Sequence, residues 1–133
     1  MIYLLDTDIC IAFLWGRDPA LRRRFTAVDA QAIVVLNPVR GELIYGAARS
    51  QDPPRARQGV DVFLARFASL PFDDTAADTY GRIRAHLAAS GTIIGPNDLL
   101  IAAIAVVVST ILVTHSTREF GCVPGIALED WLI

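Results

Sequence analysis

Apolar and polar positions fall in blocks along this chain. Residues 2–5 form a short, wholly apolar run ending at Asp6, the pattern of a strand buried on both faces. Residues 9–14 start a helix, Gly16, Asp18 and Pro19 punctuate it, and residues 20–28 resume helical spacing with Arg22, Arg23 and Arg24 on one face. Residues 33–36 predict a second buried strand. Asn37 and Pro38 then open a helix, Asn37 as N-cap and Pro38 at the first helical position, which puts Glu42 in the second turn beside a packing face of Leu43, Gly46 and Ala47. Residues 50–57, with Pro53 and Pro54, predict a turn, residues 58–67 a helix and residues 69–72 a short third strand. Asp73 and Asp74 cap a helix over 75–89 that ends at Ser90 and Gly91. A turn at Gly95, Pro96, Asn97 and Asp98 leads into the most apolar helix, 99–108; a fourth strand covers 111–114, a turn 115–120, and a last strand 126–128 follows Pro124 and Gly125.

Strands alternating with helices imply right-handed crossovers and an α/β fold with a mostly parallel sheet covered on both faces. In such sheets ligands bind beyond the carboxyl ends of the strands, where strand order reverses. Asp6 and Thr114 fall at two such ends. At 133 residues the chain predicts one domain, 1–133, with no repeat, low-complexity tract or linker.

Composition narrows the function. Hydrophobic residues make up 53%, so much of the chain must be buried. A net charge of −2 excludes binding nucleic acid through a general basic field, although local patches remain open. All 12 basic residues are arginine. Cys10 and Cys122 lack the spacing of a zinc site or disulfide framework. The start MIYLLD has no basic segment ahead of its apolar run and reads as a strand, not a signal peptide. The apolar stretch 99–108 is far shorter than the roughly twenty residues of a membrane span. A cytoplasmic location, with no membrane partner, is expected.

The candidate chemistry lies in four scattered acids: Asp6 in LLDTD, Glu42 in PVRGELIYGA, Asp98 in GPNDLLIAA and Glu119 in VTHSTREF. Each has an ordinary explanation. Asp6, Asp8 or Asp98 could cap a helix, Glu42 could be solvated, and Glu119 could pair with Arg118 or Arg49. Together they point elsewhere, because acids attached to buried elements converge usefully only around a cation. Carboxylates so grouped hold Mg²⁺ or Mn²⁺, and such an ion acidifies water and offsets charge on a phosphoryl oxygen, which implies phosphodiester hydrolysis. Thr7, Thr114 and Ser116 could add hydroxyls to that site, or bond their own backbone. His115 could act as a general acid or touch phosphate, but reads rather as filling a turn position beside the site, and His86 is read as a surface or interface residue.

On these phrases the chain resembles PIN-domain ribonucleases, specifically the VapC-type toxins of bacterial toxin–antitoxin pairs, over essentially its full length. LLDTDICIAFL is similar to the family's opening acid motif, VRGELIYGAARS to its glutamate helix, IGPNDLLIAAIA to its third acid motif and LVTHSTREFGCVPGIALEDW to its closing segment. The resemblance implies a three-layer α/β/α sandwich, Mg²⁺- or Mn²⁺-dependent endonucleolytic cleavage of RNA, a homodimer, and inhibition by a cognate antitoxin. By position it makes Asp6, Glu42 and Asp98 the core metal-binding acids and Glu119 the fourth. The chain departs from the pattern at His115 and Ser116, where Asn or Arg and then Asn or Asp are common, and at Asp8, where Asn is frequent.

Two other readings compete. The Asp6, Thr7, Asp8 phrase after a strand also resembles haloacid-dehalogenase-type phosphatases and, in outline, phospho-receiver domains. Both normally hold the phosphoryl group with a basic residue, most often lysine, in a later motif, and this chain has no lysine. A catalytically silent PIN fold serving as a binding module is the other. Mutually repelling buried acids would gain such a scaffold nothing.

Overall fold

The computed structural model describes residues 1–16 and 18–132. Five short strands carry the sheet: β1 (Tyr3–Leu5), β2 (Ile33–Leu36), β3 (Ala68–Leu70), β4 (Ile111–Val113) and β5 (Ala127–Glu129). The helices between them are α1 (Thr7–Trp15), α2 (Pro19–Ala27), α3 (Asn37–Ala48), α4 (Pro53–Leu64), α5 (Asp74–Ala89), α6 (Pro96–Val108) and α7 (Thr117–Phe120). All strand pairs are parallel, in the order β3-β2-β1-β4-β5. The chain moves outward from β1 through β2 to β3, then returns to the other side of β1 as β4. Order therefore reverses between β1 and β4, and right-handed crossovers put α1–α4 on one face and α5 and α6 on the other.

The middle of the sheet is wholly apolar because both faces are covered. Leu4 pairs with Val34 on one side and Leu112 on the other, and all three are buried. On the α1–α4 side Phe25 stacks on Phe13 at 4.2 Å and meets Trp131 edge-on at 5.4 Å, clamping α1 and α2 to the end of the chain. On the opposite side α6 presents a buried Leu99, Ile101, Ala102, Ala103, Ile104 and Ala105, small enough for α5 to approach closely. Burial also pushes the Cys10 thiol well above its ordinary range, leaving it inert.

Several boundaries differ from the sequence-based expectation. Pro53 and Pro54 do not sit in a turn; they open α4, where missing N–H groups cost nothing, behind Asp52, which accepts the Arg55 amide at 3.3 Å. Asn37 is the first residue of α3, which has no side-chain cap. Gly46 lies on the exposed side of α3, while Leu43 and Ala47 are buried. A 3-10 turn, Ala30–Ala32, precedes β2, and the predicted turn at 115–120 contains α7. The third strand ends at Leu70, its register set by Val34 opposite Ala68, and Phe72 instead packs edge-on against Tyr80 at 6.0 Å.

Candidate active site

Asp6 is the first residue after β1, and its amide still bonds the Val113 carbonyl at 2.9 Å, so its side chain leaves the sheet at the switch point. It is 4% exposed. One oxygen accepts the Thr7 amide at 2.8 Å and the other the hydroxyl of fully buried Thr114 at 2.7 Å. Asp6 is thus both the N-cap of α1 and an acid of the cleft, pinned by the neighbouring strand end.

Asp8, which the sequence reading set aside, belongs to the same constellation. Its Oδ2 accepts the His115 amide at 3.1 Å and the Ser116 hydroxyl at 3.3 Å, while the Ser116 amide bonds Thr114 Oγ1 at 2.9 Å. Thr114 and Ser116 therefore act on the site through Asp6 and Asp8. Nothing local in LLDTD marks Asp8, because its partners lie beyond β4.

The other acids arrive from the opposite end of the cleft. Glu42, half-buried on α3, accepts the Asn97 side-chain amide at 2.6 Å. Asp98 sits one residue on, in the first turn of α6, which is capped by Gly95 and not by Asp98. Glu119, on α7, accepts the Gly95 amide at 3.3 Å and so faces the positive end of α6. It pairs with neither Arg118 nor Arg49. Asn97 was likewise missed; its place between Pro96 and Asp98 was the available signal.

Electrostatics ties the two ends together. Burial first, then the Asp8 charge, raises the Asp6 carboxyl to about 7, with Asp98 adding to the rise against the hydrogen bonds from Thr114 and Thr7. Burial likewise lifts Asp98 to about 6, reinforced by the charge of Glu119, a hydrogen bond shared with it, and the charges of Glu42 and Asp8. Among the described residues no three of these groups stand close enough to enclose an ion as the side chains lie.

The donors nonetheless suit a hard divalent ion. All are oxygens, and beside Asp6 two buried atoms, Asp8 Oδ1 and Thr7 Oγ1, have no hydrogen-bond partner. His115, exposed at the rim, instead bonds Asp130 at 2.9 Å, and His86 is exposed on α5. Asp73 caps α5 through the Ala76 amide and takes no part in the cleft. Of the arginine run, Arg22 lies over Phe13 and Arg24 over Trp131.

Residues 3–121 match the PIN domain family model. The chain is 38% identical to a tRNA(fMet)-specific endonuclease VapC of Salmonella typhimurium, over 97% of each, and 35% identical to Ribonuclease VapC2 of Rickettsia felis, over 98% of each. Among solved structures it superposes on a DNA-bound VapBC from Salmonella typhimurium with a TM-score of 0.93, at 37% identity over 98% of each chain. A promoter-bound VapBC2 from Rickettsia felis gives 0.92 at 32% identity, over 98% of this chain and 99% of that one.

Proposed function

Because the chain belongs to the PIN-domain family, we propose that its acidic cleft is the active site of an endoribonuclease toxin, silenced by a cognate antitoxin. One observation carries the reading. Acids from four separate segments face one cleft at the strand switch point, near enough that burial and one another's charge raise the Asp6 carboxyl to about 7 and that of Asp98 to about 6.

Asp6, Asp98, Glu42 and Glu119 would hold Mg²⁺ or Mn²⁺, with the unpartnered oxygen of Asp8 beside them. When bound, the ion supplies an acidified water and offsets charge on the scissile phosphate. The chain's own groups prepare that site. Thr114 fixes Asp6, the Asn97 amide orients Glu42, the Gly95 amide holds Glu119, and the loop after β4 holds Asp8. The VapC relatives specific for tRNA(fMet) make a transfer RNA the first substrate to offer. A homodimer belongs to the same reading, supported by an apolar cavity of about 430 Å³ between α5 and α6 whose lining includes the 93% exposed Ile93, and a cytoplasmic location belongs to it through the family alone.

The test is cleavage of transfer RNA by purified, antitoxin-free protein. We expect cutting with Mg²⁺ or Mn²⁺, arrest by a chelator, and loss in Asp6→Asn by a factor of about a hundred or more. Chelator-insensitive cutting would defeat the metal reading; absence of any cutting would favour a silent binding module.

A further inference from the structure

Glu42, Tyr45 and Gly46 share one face of α3, and Arg49, the C-cap of that helix, continues their line at the spacing that stacks side chains along a helix. Between that face, Ile11 and Asn97 opens a cavity of about 540 Å³. Glu42 and Asn97 close one end of it. At the other, the Arg49 guanidinium lies 5.3 Å from the centre of the Tyr45 ring and reaches its hydroxyl at 3.4 Å. Tyr45 is 62% exposed and Ile11 42%, large apolar surfaces that folding leaves wet. Among the described residues Arg49 has no carboxylate partner. Gly46 lines the cavity between them without a side chain.

This array suits a nucleotide. A base gains from stacking on an aromatic ring or a guanidinium plane, and a phosphate gains from the guanidinium's paired donors. A polyanion approaching clustered acids also needs a cation just beyond them to offset the repulsion. Arg49 stands two helical turns from Glu42, about 10 Å along the axis, and supplies that charge. We propose that this cavity is an RNA subsite beside the catalytic acids, with one base stacked on Tyr45 and the adjoining phosphate held by Arg49. The proposal rests on the nuclease reading of Glu42 and its neighbours, but its binding test does not.

Asp6→Asn protein, which leaves RNA intact on that reading, is titrated with an end-labelled single-stranded oligoribonucleotide and followed by fluorescence anisotropy. Adding Tyr45→Ala or Arg49→Ala weakens binding about tenfold or more. Tyr45→Phe, which keeps the stacking face, restores most of the affinity. On the wild-type background the same losses raise KM for RNA more than they lower kcat. Equal affinity across the set, with thermal melts showing each variant folded, overturns the subsite. Unchanged RNA binding with lost antitoxin capture also overturns it, and assigns the face to the protein partner. RNA binding that depends on Tyr45 in a protein that never cuts leaves the subsite standing and removes the nuclease.

Discussion

Thr114 is a small residue with a large lever on the cleft. Its buried hydroxyl is one of two donors that draw the Asp6 carboxyl down against burial and against Asp8. Thr114→Val keeps the shape and removes the donor, so Asp6 takes up its proton more readily. A hydrogen bond to a charged group is worth roughly 1.5–3 kcal/mol, which moves the acidic limb of the pH–rate profile upward by about one to two pH units. An unmoved limb would show that Asp6 does not govern metal uptake. At this scale the sequence was legible where an acid broke an apolar run, as at Asp6 and Asp98, or stood among apolar helix neighbours, as at Glu42. Asp8 and Asn97 were not, because each acquires its role from a partner distant in the chain: the His115 amide for Asp8 and Glu42 for Asn97.

Elements were read well where hydrophobic periodicity was the deciding force and unevenly where local capping was, since the cap at Asp73 was placed correctly and those at Asn37 and Asp52 were not. The β1, β2 and α6 patterns needed no tertiary knowledge, since runs that apolar must be covered. The pair Pro53-Pro54 suggested a turn, yet the same residues are stable in the first turn of a helix when a side chain ahead of them accepts a free amide. Asp52 is that side chain. Replacing it by Ala should cost about 1 kcal/mol, seen as a lower thermal midpoint, and fray the start of α4 in hydrogen exchange while leaving α5 protected. Unaltered exchange at Arg55 and Ala56 would deny Asp52 that role. Of the edge strands, β3 starts one residue and ends two residues before its expected bounds and β5 lies one residue later than expected, because short, half-exposed strands take their extent from a partner and not from their own pattern.

For the whole molecule, the buried acids make stability depend on pH in an unusual direction. In the unfolded chain aspartates titrate near about 4. In the metal-free fold Asp6 holds its proton to about 7 and Asp98 to about 6. Between these values the folded chain carries protons that the unfolded chain has lost, so this contribution is complete below about pH 4 and disappears as pH rises through 6 and 7. The thermal midpoint of metal-free protein should fall by a few degrees between about pH 5 and pH 8, less in Asp6→Asn, and Mg²⁺ or Mn²⁺ at the upper pH should restore it. A midpoint that rose across this range and ignored added metal would contradict the burial of these acids. The fold class and the parallel sheet were legible from alternating elements. The reversal between β1 and β4 was expected only as a rule for such sheets, and the pairing in space placed it at Asp6.

That reversal also sets the order in which a growing chain becomes harmful. Asp6 lies 108 residues before Thr114, the residue after β4 that pins it, and Glu119 follows later still. Until β4 slots against β1, the early acids face no opposing wall. A product truncated before residue 111 carries Asp6, Glu42 and Asp98 but lacks Thr114 and Glu119, and is expected to show no cleavage in the transfer-RNA assay. On the nuclease reading, cutting therefore waits for β4 to seat against β1.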